Sequence, residues 1–282
     1  MTIHPENSGG NIKTPKSARR RKLRAGLFGL AAAIGLLGDK QLPDIALYNH
    51  PETQEIADDD IKIMTANVHG WQGYSGNNFD TFSEALVKEQ PDIVCMQEVL
   101  ADGEELRKLY EEGYNVLFST TIRYPFRGRF GNAVLSRAPL SLVEVVKLPN
   151  PHTVTPRNGI MFAVETTKGK LDFFNTHLST NQAESNMQAE RAFHAVGDLL
   201  QGACGDFNQT PEQIALGSFG RMLVTRPPLV AYPTFPAREP SRKIDHVLSE
   251  CGVSDPEQSY SAYIDSDHLA AVEVMDISGC FE

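Results

Sequence analysis

No Cys-x-x-Cys and no His-x-x-x-His occurs anywhere in the 282-residue chain, which excludes the common zinc frameworks. Nothing repeats and no tract is compositionally biased, so repeat architectures are excluded as well. Long apolar runs are also missing. The charge-free stretch at residues 25–38 has fourteen residues, short of the roughly 20 that span a bilayer. Positive charge is scarce beyond the N-terminus: residues 1–38 hold seven Lys or Arg against Glu6 alone, about +6, and taking that from the formal charge of −10 leaves −16 for the rest. A body that acidic repels polyanions at long range, and argues against tight non-specific DNA binding unless a local basic surface or a bound cation overrides net charge.

What is present divides the chain in three. Lys16, Arg19, Arg20, Arg21, Lys22 and Arg24 precede the short apolar stretch, the pattern of a signal peptide or an uncleaved membrane anchor over residues 1–38. The alternative is a basic tail on a cytosolic amphipathic helix. An anchor would hold the arginines inside and send the rest outward, giving a secreted or envelope protein with its body outside the cytoplasm. Residues 39–60, with Pro43, Pro51 and the acids Glu52, Glu55, Asp58, Asp59 and Asp60, read as an acidic linker. Residues 61–282 then form one domain, and 41% hydrophobic residues suffice for a sizeable core. Cys95 and Cys204 lie in apolar runs and are expected as buried thiols. Cys251 and Cys280 follow late strands, where a disulfide would suit an exported chain but spacing alone does not decide it.

Apolar periodicity supplies the elements. Strands are expected over residues 61–67, 92–98, 114–119, 131–136, 142–148, 160–166, 171–175, 244–249, 259–264 and 269–277. Helices are expected over 79–89, 102–112, 182–196 and 211–216, with Gly113 closing the second and Pro211 opening the last. Several strands follow one another without a helix, so much of the sheet is expected to be antiparallel. The weak segment is 199–204, where only Ala203 and Cys204 immediately precede Gly205-Asp206-Phe207-Asn208. It reads as a poor strand or a shortened one.

Five regions end an apolar run on a carboxylate, an asparagine or a histidine. They are Thr65-Ala66-Asn67-Val68-His69, Asp92-Ile93-Val94-Cys95-Met96-Gln97-Glu98, Asn175-Thr176-His177-Leu178, Gly205-Asp206-Phe207-Asn208, and the pair Lys243-Ile244-Asp245-His246 with Ser266-Asp267-His268. Polar groups at strand ends can converge at one edge of a sheet. Oxygen donors on Asn67, Glu98, Asp206, Asn208 and Asp267, beside His177 and His268, describe a site for one Mg²⁺-like ion and a phosphate ester. Hydrolysing such an ester needs a cation to offset phosphoryl charge, a base for water and help for the leaving oxygen. Elsewhere, residues 122–130 interleave Arg123, Arg127 and Arg129 with aromatic rings. That pattern suits nucleotides, phosphoinositides or an anionic membrane, and equally a solvated loop over a sheet edge.

The order of these segments resembles the deoxyribonuclease I-like endonuclease/exonuclease/phosphatase superfamily over about residues 61–276. The resemblance implies an α/β (α+β) fold, a four-layer α-β-β-α sandwich with two central, mostly antiparallel sheets. It implies divalent-metal phosphoester hydrolysis, with Mg²⁺ or Mn²⁺ held by Asn67, Glu98 and Asp267. His177, Asp206, Asn208, Asp245 and His268 match the catalytic pattern. On it, Asp245 orients His268, Asp206 handles a proton, Asn208 donates to phosphate, and His177 contacts phosphate or the leaving oxygen. Whether Asp206 or the Asp245–His268 pair is the base stays open, and His69 and His246 are expected as packing residues. Arg157 resembles a phosphate-clamping arginine, with Arg123, Arg127 and Arg129 as further substrate contacts. The expected partner is nucleic acid, alternatively a phosphoinositide or a sphingomyelin-type phospholipid, met by a monomer whose N-terminal segment contacts a membrane. A non-catalytic binding module on the same fold is the reading of a different class.

Overall fold

Two-residue alternation along the strands sorts apolar side chains between separate cores. The computed structural model describes residues 45–221, 232–251 and 258–281. One sheet has seven strands in the order β1 (Ile45–Tyr48), β6 (Asn115–Tyr124), β7 (Gly128–Ser136), β5 (Ile93–Leu100), β2 (Asp60–Asn67), β14 (Ala270–Asp276) and β13 (Tyr260–Ala262). The other runs β12 (Asp245–Ser249), β11 (Gly202–Asp206), β10 (Gly169–His177), β9 (Arg157–Thr166) and β8 (Leu140–Leu148). A small hairpin, β3 (Gln72–Gly73) and β4 (Gly76–Asn77), stands apart. Neighbouring strands are antiparallel apart from β2–β5 and β10–β11.

Ile61, Ile63, Ile93, Phe162, Phe173 and Val247 fill the space between the sheets. The alternate residues face outward. Met64, Val94 and Met96 pack with Phe82 and Leu86 of the helix Phe79–Glu89. Phe174, Ala203 and Leu248 pack with Ala189 and Ala192 of the helix Gln182–Val196. The result is helix, sheet, sheet, helix, the four layers expected. Helix ends follow local chemistry: Asn181 caps its helix by accepting from the Glu184 amide, and Thr210 with Gln213 forms a capping box at Pro211–Leu216. Among the described residues, no helix is long and apolar enough to cross a membrane.

Three expectations change. Part of the supposed acidic linker is domain: β1 pairs with β6, and buried Ile56 bridges to Thr166. Acidic residues masked the short alternation in which Ile45 and Leu47 turn toward the inter-sheet core. The weak segment is a true strand, β11, but it trades apolar side chains for close approach. A Cβ on Gly205 would lie 2.0 Å from the Thr176 carbonyl oxygen on β10. Cys95 and Cys204 are buried as expected but are not thiols. Their positions face each other across the sheets, Cα atoms 6.1 Å apart, and they form a disulfide. Cys251 and Cys280 form a second, with Cα atoms 5.1 Å apart. The expected targeting segment, residues 1–38, lies outside the described residues.

Candidate active site

The same alternation that buries the core carries the polar strand ends onto the inter-sheet face at one edge. Asn67 is in phase with Ile61 and Ile63, His177 with Leu171 and Phe173, Asp206 with Cys204, and Asp245 with Val247. His177, Asp206 and Asp245 are register partners on three adjacent strands. Glu98 is the exception. Alternation alone would send it outward with Val94 and Met96, but a bulge between Met96 and Val99, with Glu98 at φ 58°, reverses the phase. Val99 joins the helix-side core and Glu98 turns in, 3.8 Å from His177 Nδ1. Asn175 secures this irregularity from the opposite sheet. Its amide donates to the carbonyls of Met96 (3.1 Å) and Ala133 (2.8 Å), and its oxygen accepts from Gln97 (2.9 Å).

Asp206 Oδ2 is the hub of the site. It accepts from Asn67 Nδ2 at 3.1 Å and is approached by His177 Nε2 at 3.3 Å and His268 Nε2 at 3.7 Å. Each imidazole is fixed from behind. His268 Nδ1 lies 2.9 Å from Asp245 Oδ2, and the Arg157 guanidinium lies 2.8 Å from His177 Nδ1. A guanidinium only donates, so His177 Nδ1 accepts and its proton sits on Nε2, facing Asp206. Burial and the Asp245 charge lift Asp206 out of the usual carboxylate range, to about 7, against the pull of His268. Burial works downward on His268, but Asp245 and Asp206 outweigh it and raise it to about 10. Burial, then the charges of Arg157 and His268, hold His177 well below its ordinary value. The site therefore holds one imidazole biased toward its charged form and one toward its neutral form, around a carboxylate whose proton affinity is raised.

Two sheets converging buried carboxylates and fixed imidazoles on one edge is the arrangement that the ordered motifs imply. The model of the endonuclease/exonuclease/phosphatase family matches residues 64–268. The chain belongs to this family. Family enzymes hydrolyse phosphoester bonds, generally with a divalent metal. Among solved structures, a family member from Beutenbergia cavernae is 22% identical with a TM-score of 0.59, over 77% of this chain and 71% of that one. A humanized D. rerio TDP2 is 16% identical, TM-score 0.58, over 77% and 99%. The human Nocturnin catalytic domain with bound sulfate is 18% identical, TM-score 0.56, over 79% and 96%. At these identities the likeness establishes the fold. A comparison with curated proteins gave no match.

The residues present fit a hard cation. Glu98 and Asp206 both reach toward the Asn67 amide, at 3.4 and 3.1 Å, and Asp245 Oδ1 is buried without a hydrogen-bond partner. Oxygen acceptors exceed donors here, and oxygen is what such an ion takes. Asp206, Asp245 and His268 also bring ligand-type atoms within 4.8 Å of one another, although the His268–Asp245 hydrogen bond already accounts for that pair. Asp267 stands at the mouth, 3.6 Å from His69, and the Ser266 hydroxyl beside it donates to the Asn67 carbonyl at 2.7 Å.

The Asn208 amide donates one N–H to the Leu178 carbonyl at 3.0 Å, which leaves its second N–H for a phosphate, and its backbone N–H donates to Asp206 at 3.0 Å. Arg129, expected as a substrate contact, is instead buried, 2.6 Å from Asp102, and pins the β6–β7 hairpin beside its turn. Arg123 and Arg127 are exposed on that hairpin, where a cleft of about 510 Å³ is lined by Asp102, Glu105 and Phe126 as well as Arg127. Phe235 was not among the expected site residues, yet its ring lies 4.7 Å from that of His268. Nor was Asn175, although a buried asparagine two residues before His177 was the available signal.

Proposed function

We propose that this chain is an exported, divalent-metal-dependent phosphodiesterase acting on nucleic acid. The observation that carries the reading is the Asp206 carboxylate, faced by two imidazoles that Asp245 and Arg157 hold from behind. Asp206, raised toward neutrality, orients water and takes its proton. Charged His268 and the Nε2–H of His177 offer donors to phosphoryl and leaving oxygens. Glu98, with Asn67 and Asp267, would hold Mg²⁺ or Mn²⁺, and the ion would offset charge on the phosphoryl group.

The test is hydrolysis of plasmid DNA, single-stranded DNA, RNA, phosphoinositides and sphingomyelin in Mg²⁺, in EDTA and with Glu98→Gln. Loss of activity by two to three orders of magnitude in EDTA and in the variant is expected. Full rates in either would sink the metal assignment. A second reading, hydrolysis of an anionic lipid headgroup, draws on Phe126, which stands wholly exposed at the hairpin tip between Arg123 and Arg127. The same panel separates the two.

Export is supported by the basic-then-apolar N-terminus and by two disulfides, which persist in oxidising compartments. Residues 1–60 fused to a reporter that is active only after translocation should give signal. A reporter retained in the cytosol would reject it.

A further inference from the structure

The segment 234–242 arches over the active-site edge and is fastened there by backbone. Phe235 and Arg242 exchange hydrogen bonds at 3.0 and 2.9 Å, closing the arch. The Ala237 N–H donates to the Asp267 carbonyl at 2.8 Å, and the Leu269 N–H to the Thr234 carbonyl at 2.8 Å. The arch is thus held to the residues on either side of His268. Its two exposed arginines are both seated against rings. The Arg242 guanidinium lies 4.9 Å from the centre of Phe235, the ring that also meets His268. The Arg238 guanidinium lies 3.9 Å from the centre of Tyr74.

Tyr74 belongs to the β3–β4 hairpin, which is itself pinned. Ser75 N–H donates to Asp265 at 3.2 Å, and a Cβ on Gly73 would lie 2.4 Å from the same carboxylate. The Tyr263 hydroxyl donates to Asp265 at 2.7 Å. Tyr74 and Tyr263 are 42% and 56% exposed, so ring surface is open beside the arginines. Among the described residues neither guanidinium has a hydrogen bond or an ion pair, in a body with a large excess of acid. Stacking fixes an arginine's plane and leaves its N–H edge for an anion, which fits phosphate.

We propose that Arg238 and Arg242 grip phosphates flanking the scissile one in a single-stranded nucleic acid, and that Tyr74 and Tyr263 stack on an unpaired base. This rests on the nucleic-acid reading above and names the form of the substrate. Two separate cations along one edge suit a polymer, and open rings need bases that are not already stacked in a duplex. A lipid is the weaker fit. The exposed large apolar residues next to the arch are tyrosines, whereas Phe126 stands on the hairpin of β6 and β7.

The test measures binding of a fluorescein-labelled dodecathymidylate to the full chain in EDTA, by anisotropy across a salt series. Arg238→Gln and Arg242→Gln should each weaken binding about tenfold and reduce the slope of log affinity against log salt by about 0.7. Tyr263→Leu should weaken it several-fold with the slope unchanged. Wild-type affinity and slope in both arginine variants would overturn the proposal, as would no binding by the wild type. Capture by phosphatidylserine vesicles that depends on the arginines, without oligonucleotide binding, would also overturn it and assign the arch to a headgroup. Arginine-dependent binding without cleavage in Mg²⁺ would remove the hydrolase reading and leave this one standing. Cleavage with arginine-independent binding would do the reverse.

Discussion

His246 sits one residue beyond Asp245 on the opposite face of β12, and its chemistry is stability rather than catalysis. It is buried against Phe207, with Nε2 2.8 Å from the Gln209 carbonyl, so the neutral ring donates there. Burial, then the charge of Lys243, holds it at about 4, against an ordinary value of 6.5. An unfolded chain binds that proton below 6.5 and the folded chain only below 4. The contribution is therefore complete above 6.5 and lost as pH falls toward 4, by about 3 kcal/mol. Asp206, raised to about 7, acts with the opposite sign over an overlapping window. The readout is thus a difference: urea midpoints between pH 7.5 and 4.5 should fall less steeply for His246→Gln than for wild type. Parallel profiles would show that folding does not shift the His246 titration.

At the scale of elements, β1 decides whether β6 is an internal or an edge strand. Ile45 and Leu47 pack on the inter-sheet core, and Asn49 exchanges two 2.9 Å hydrogen bonds with the Leu140 backbone of the other sheet. Asn115 accepts from the His50 amide at 2.7 Å. Starting the chain at Asp60 instead of Pro43 should lower the melting temperature by about 10 °C, on the scale that relates stability to melting for domains this size, and should promote aggregation through the bared strand. Equal melting curves would make β1 an ornament. The β5 bulge is the other decisive element, since removing it would return Glu98 to the helix side of its sheet.

For the whole molecule, two cross-links of different accessibility are expected to behave differently. Cys95 and Cys204 are wholly buried between the sheets, just before Glu98 and Asp206, whereas Cys251 and Cys280 are half-buried near the C-terminus. Mild reductant under native conditions should expose two thiols to alkylation, at Cys251 and Cys280, as read by peptide mass. Opening that bridge, which spans 29 residues of sequence, should cost about 3 kcal/mol in denaturant. Labelling of Cys95 at the same rate would show that the inter-sheet space opens freely. Replacing Cys251 and Cys280 with serine should reproduce the stability loss without reductant.

The layers and the strand ends were legible in the sequence, because burial on one face of a strand is written as a period of two. Asn67, His177, Asp206 and Asp245 lie in phase with core residues a few positions away, and the order of their motifs marked the family. Where local rules compete with contacts from far along the chain, the packed fold settles the outcome. Alternation points Glu98 the wrong way, and the bulge that turns it is stabilised by Asn175, 77 positions on. Arg129 looks like a ligand-binding cation until Asp102 is seen beside it. Arg238 and Arg242 acquire a role only through Tyr74 and Phe235, the rings that folding places under them. A charge's role depends on what folding places within about 4 Å of it, and no local pattern encodes that neighbour.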